Sequence, residues 1–287
     1  MNISTIIKAS AFIAGASILI GCDDDGPKIV NSDTVSTNQV FATYQVFSDG
    51  SQYVYAEAQL TRLTPPSETE DEDSFVHLVD KDELWFASEL NLLDQQFSSD
   101  VFGELEQLRD TQTRFKASTR QEELYNFIFF RTIINPFGNW YSAQLPLNTN
   151  GIYQISLFRE NTVEARYSTI TLPNNFSIIA PDSLALYSRS MDDIIVEWNN
   201  TETDLSVEIE TTVACPDQSF ESYSETLTSD SGTYVIPAGT LSEPHLVGRC
   251  TTTINVRKAL LGTIDPNLVG GLASGYQIRR VSFVSED

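Results

Sequence analysis

Between residues 194 and 256 the apolar side chains recur with a period of two. Ile194, Val196 and Trp198 share one parity, Leu205, Val207, Ile209, Val213 and Cys215 form a second alternating set, and Cys250, Ile254 and Val256 a third. Successive side chains of a strand point to opposite faces, so this spacing specifies half-buried strands. It excludes an amphipathic helix, whose apolar positions would recur every three or four residues. The same rhythm opens the earlier part of the chain. Val40, Ala42, Tyr44 and Val46 alternate with Phe41, Thr43, Gln45 and Phe47, and Asp49-Gly50 supplies a turn into Tyr53 to Leu63, the pattern of a hairpin. Shorter strands are predicted at Phe75 to Val79, Leu84 to Ala87, Gly151 to Arg159, Val163 to Leu172 and Tyr276 to Val284, with Gly270 to Gly275 as a loop before the last. At 287 residues with 41% apolar content, the chain has enough material for packed cores.

The β rhythm breaks between about 88 and 140. Ser99 or Asp100 is placed to cap a helix through about Arg114 that buries Val101, Leu105 and Leu108, and Thr119 with Glu122 has capping-box spacing. A partly helical insertion is the expectation there. Asn126 to Ile134 reads equally as a buried strand, because periodicity does not separate short apolar runs. Turn formers from Pro173 to Pro181 predict a junction between an N-terminal β-rich domain, 39–175, and a C-terminal one, 176–287.

The strand spacing of the second block and its Trp198-ending strand resemble a fibronectin type III or immunoglobulin-like β-sandwich. The resulting fold class is mainly β, with two such sandwich domains. In that topology the strand ending at Cys215 runs antiparallel to the strand starting at Cys250, both on the inward parity. The resemblance thus implies a Cys215–Cys250 disulfide, two buried free thiols being the alternative. The chain also resembles two-domain lipoproteins of marine bacteria, from which no activity follows.

The N-terminus carries a separate signal. Lys8 precedes Ala9 to Ile20, an uncharged apolar run of a length that suits a signal peptide. It is shorter than the about 20 residues a helix needs to cross a bilayer core. Leu19-Ile20-Gly21-Cys22 resembles the lipobox of bacterial lipoproteins, against the alternative of an ordinary cleaved signal with a chance cysteine. The resemblance implies removal of residues 1–21 by cleavage between Gly21 and Cys22, and acyl chains on Cys22 that anchor the protein to a membrane. An Asp at position 23 resembles the inner-membrane sorting signal of enteric lipoproteins, which varies between lineages. Residues 22–38, polar and acidic, read as a tether.

Charge excludes further classes. Forty acidic against 17 basic side chains give a net charge of −23, which repels phosphate backbones, so nucleic acid is not an expected partner. The only histidines, His77 and His245, lack companions for a zinc site, and no nucleophile elbow or phosphate-binding loop is present. No catalytic residues are assigned and no cofactor is expected. Glu68 to Asp73 with Asp80 and Asp82 offer oxygen ligands for calcium, but no ligand loop fixes the spacing and a solvated charge run is the favoured reading. The expectation is a non-catalytic, lipid-anchored envelope protein, facing the periplasm, that binds another protein or a glycan. The alternative is a carboxylate-based hydrolase acting on an envelope or extracellular polymer. Phe127, Phe129, Phe130, Phe137 and Trp140 of the insertion are either core or a partner surface.

Overall fold

The structure is a computed structural model and describes residues 29–63, 74–79, 81–88, 111–118 and 140–287. These residues are mainly β. The first block contains β1 (Ile29–Asn31), β2 (Val40–Ser48), β3 (Tyr53–Arg62), β4 (Ser74–His77), β5 (Glu83–Ala87), β6 (Gln112–Arg114), β7 (Lys116–Ser118), β8 (Trp140–Pro146), β9 (Ile152–Phe158) and β10 (Ala165–Thr171). The second contains β11 (Ile178–Ala180), β12 (Leu186–Ser188), β13 (Ile194–Trp198), β14 (Val207–Ala214), β15 (Phe220–Leu227), β16 (Thr233–Ile236), β17 (Cys250–Leu261) and β18 (Gly270–Glu286).

The strands form three sheets. The largest runs β1-β4-β3-β2-β18-β17-β14-β15, with β8 added to β3, β7 to β8 and β12 to β18. A second sheet runs β10-β9-β5-β6 and a third β11-β13-β16. Alternation decides which side chains go inward. On β13, Ile194, Val196 and Trp198 are buried while Ile195 and Glu197 are not. They join Val207, Ile209, Val213, Ile254, Val256 and Phe283 in one core. A separate core gathers Val40, Ala42, Tyr44 and Val46 of β2 with Leu84, Phe86, Tyr153, Ile155 and Leu157 of the four-stranded sheet. Each such aliphatic or aromatic side chain contributes about 1.5–3 kcal/mol when fully removed from water.

The two blocks are joined by β18, which is 17 residues long. Its first half runs parallel to β2, from Gly270 opposite Phe41 to Gln277 opposite Ser48. From Ser274 to Ser285 it pairs antiparallel with β17, and its end pairs parallel with β12, Leu186 opposite Val284. The expected loop at Gly270 to Gly275 is therefore strand. The glycines are there because neighbouring backbone comes too close for a side chain: a Cβ on Gly271 would lie 2.3 Å from the Ala42 carbonyl oxygen, and one on Gly275 2.2 Å from that of Thr171. As a result Leu268 and Ala273, from the second block, are buried in the first core. A cut at 175/176 does not partition the two cores.

Two further expectations change. Gln112–Arg114 and Lys116–Ser118 are strands, where a helix was expected to reach about Arg114. Gln112 and Arg114 pair with Ala87 and Trp85, so the open edge of β5 outweighs local capping signals. Ser99, Asp100, Thr119, Glu122 and residues 126–134 lie outside the described residues. The segment 22–38, read as a tether, is folded from Ile29 onward: β1 pairs with β4, and Ser32, Val35 and Thr37 are buried.

Buried charges tie these layers together. Lys258 and Asp230 are both fully buried, with Nζ 2.6 Å from Oδ2, and the indole N–H of Trp198 donates to Asp230 Oδ1 at 2.6 Å. The Lys258 ammonium also lies 4.6 Å above the ring of Phe176, at the junction between the blocks. Arg279 donates to the carbonyls of Phe176 and Ser48, one on each side of that junction.

Candidate functional site

The far end of β18 is assembled around one buried side chain. Arg189 follows β12 directly and is 1% exposed. Its Nη1 donates to the carbonyl and the hydroxyl of Ser285, and its Nη2 to the carbonyls of Leu246 and Gly248 and to Asp287 Oδ2 at 3.1 Å. One guanidinium thereby pins the end of β18 to the loop 242–249. The fork of an arginine suits this task, because several donors leave it in fixed directions. Beside it Cys215 and Cys250 form a disulfide that links the ends of β14 and β17.

This fixed backbone presents aliphatic side chains to water. Leu184 is 92% exposed, Met191 81% and Val247 71%, and Leu186 and Val284 sit opposite each other on β12 and β18 with nearly half their surface open. Val247 lies between Leu246 and Gly248, whose carbonyls Arg189 holds. Next to it is a depression of about 310 Å³ lined by Pro244, Leu246, Val247, Glu243 and Asp287, among others. Asp182, Asp192 and Asp193, close in sequence to Leu184 and Met191, are exposed, and each accepts a backbone N–H, from Leu184, Ser188 and Ala238. Burial, with the negative charges of Glu243 and Glu221 near it, raises the Tyr223 phenol above its ordinary value of 10.

The opposite region, where the described chain begins, holds a second cleft of about 230 Å³, lined by Asp33, Ser36, Asp82, Arg159, Glu160 and Asn161, among others. Its groups are bonded to one another. Arg159 Nε lies 2.8 Å from Asp82 Oδ2, Asp82 Oδ1 accepts the Glu160 N–H, and Nη2 donates to the carbonyls of Ser32 and Val35. Glu160 also pairs with Lys81. Both oxygens of Asp82, a calcium-ligand candidate in the sequence, are thus occupied by the fold. Among the described residues no three His, Cys, Asp or Glu side chains gather as a metal site.

The remaining sequence candidates are scattered. His77 sits half-buried on β4 opposite Asn31, and His245 Nε2 lies 3.2 Å from Glu221 Oε1 on the surface. Trp140 is buried, opposite Gln59 on β3. Gly21, Cys22, Asp23, residues 68–73, Asp80, Phe127, Phe129, Phe130 and Phe137 lie outside the described residues, and within the described ones no helix is long and apolar enough to cross a membrane. Sequence reasoning missed Arg189, Leu184, Met191 and Val247. The available signal was apolar residues set in turn-rich polar segments: Met191 alone, Leu184 with Leu186, and Val247 with Leu246. No protein-family model matches the chain, and no curated protein matches it in sequence.

Proposed function

We propose that this is a lipid-anchored binding protein of the bacterial envelope, held by Cys22 and presenting the far end of β18 to a partner. The observation that carries the reading is the group of exposed aliphatic side chains on a rigid frame at that end. Solvent-exposed apolar groups that gather, rather than scatter singly, mark interaction surfaces. Strand geometry supports the placement. Seventeen residues of β18 extend about 50 Å from the block that contains β1 to the loop 242–249. The second block is immunoglobulin- or fibronectin III-like in this reading: a three-stranded sheet, β11-β13-β16, is set against β15-β14-β17-β18, with a tryptophan closing the middle strand of the smaller sheet. Lipobox cleavage and acylation at Cys22 supply the anchor, and the envelope is the compartment that permits the disulfide.

The test is site-specific photo-cross-linking in the native envelope, with the photoreactive residue at Leu184 and, as a control, at Leu261, which is 85% exposed on β17. Capture uses an antibody rather than a tag appended to Asp287, which Arg189 holds. A discrete adduct from Leu184 that Leu261 does not give supports the reading. Equal labelling from both positions, or none from Leu184, overturns it. Loss of membrane association in Cys22→Ser tests the anchor separately.

A further inference from the structure

We infer that the depression beside Val247 receives a lysine or arginine side chain from a protein partner, with the exposed aliphatic residues around it completing the interface. This rests on the reading of the far end of β18 as a binding surface and adds the chemistry of what it binds.

The lining has two kinds of group. Pro244, Leu246 and Val247 form an apolar wall, and Glu243 and Asp287 place carboxylates beside it. Asp287 is held in position by Arg189 Nη2 at 3.1 Å and by the Ser242 hydroxyl at 3.3 Å, yet its side chain remains 32% exposed, so oxygen surface is open to a second cation. An aliphatic stem that ends in a positive charge satisfies both kinds of lining at once: methylenes cover the apolar wall and the charged head meets the carboxylates. At about 310 Å³ the space is at the small end of ligand pockets and suits one long side chain.

The surroundings select a protein as the bearer of that side chain. Leu184, Leu186, Met191 and Val284 lie outside the depression and offer an apolar contact that a free amino acid or polyamine would leave uncovered. Asp182, Asp192, Asp193 and Glu286 flank them. A second copy of this chain would bring the same acidic surface, in a protein of net charge −23, and like charges placed together oppose docking. A basic rim around an apolar centre on the partner is complementary.

The experiment follows the Leu and Val methyl resonances of the full chain during titration with N-acetyl-lysine amide, N-acetyl-arginine amide and N-acetyl-norleucine amide, the last having an uncharged stem. Saturable shifts at Leu246 and Val247 are expected with both cations, weaker by about tenfold or more with the norleucine analogue, and diminished by salt. Glu243→Gln should weaken cation binding by about twofold to fivefold, as loss of a partly exposed ion pair does. Equal response to norleucine, no response at Leu246 and Val247, or indifference to Glu243→Gln each overturns the inference. A Leu184 cross-link that forms while the titration fails would leave the surface standing and remove the cationic anchor; failure of both removes the two together.

Discussion

Two buried arginines, Arg159 and Arg189, stand at opposite regions of the molecule and solve the same problem differently. Each ties a remote piece of chain to a sheet, and among the described residues each leaves one nitrogen without a hydrogen-bond partner, Nη1 in Arg159 and Nε in Arg189. Arg159 is neutralised by Asp82, whose side chain is 7% exposed, so that ion pair is closed within the fold. Arg189 spends its donors mainly on carbonyl oxygens, and its one carboxylate partner among the described residues, Asp287, is a third exposed. The difference teaches where a binding surface is available. At Arg159 both members of the ion pair are closed within the fold; at Arg189 the backbone is fixed while carboxylate and aliphatic surface stays open.

The comparison breaks most readily at the closed pair. Arg159→Met leaves Asp82 as a buried, uncompensated charge and should cost about 3 to 5 kcal/mol of stability in denaturant unfolding. Arg159→Met with Asp82→Leu should recover most of that loss, because an apolar pair carries no desolvated charge. If the double variant is no more stable than the single, the ion pair is not the source of the effect.

The disulfide comes next in size. Cys215→Ser with Cys250→Ser opens a bridge between residues 35 apart in sequence, which the chain-entropy model values on the order of 3 to 4 kcal/mol. Amide exchange should accelerate at 248–250, beside the carbonyls that Arg189 holds, and stay slow around Ser32 and Val35. Acceleration spread equally over both regions would show that they are not separable. Arg189→Met should cost about 2 to 3 kcal/mol, from several carbonyls left without donors, with Asp287 rehydrating. A cost above that of Arg159→Met reverses the contrast.

The smallest effect is on pH dependence. Burial raises the carboxyl of Glu210 above its ordinary 4.5, and the negative charge of Glu208 adds to this against the Asn255 hydrogen bond and the charges of Arg280 and Arg257. A carboxyl with a raised folded-state value makes no difference to stability below the unfolded value. It lowers stability as pH rises from there through the folded value. Glu210→Gln should therefore melt higher than the parent at neutral pH and lose that advantage below about 4.5. An advantage that persists in acid would trace to packing instead.

Particular residues show how far sequence reading reaches. The parity of Ile194, Val196 and Trp198, and of Val207, Ile209 and Val213, was legible because it is a property of one strand at a time. The disulfide followed from the resemblance that aligned β14 with β17, and the structure pairs Cys215 with Cys250. The glycines of 270–275 misled, since locally they look like a loop; their cause is the backbone of β2 and β10 passing within 2.2–2.3 Å of where a Cβ would stand. Arg189 gave no sign at all, because its partners at 246, 248, 285 and 287 lie 57 to 98 residues away.

Sequence alone determined the class of the fold, the inward side of its long strands and an acidity that disfavours polyanions, since period, propensity and charge are written residue by residue. Only the tertiary structure decided that one strand serves both cores, that Asp82 is spent on Arg159, and that exposed Leu186 lies opposite Val284 beside a loop held by Arg189. Those outcomes depend on which distant backbones approach each other, and burial and hydrogen bonding at contact distance settle that over the whole chain.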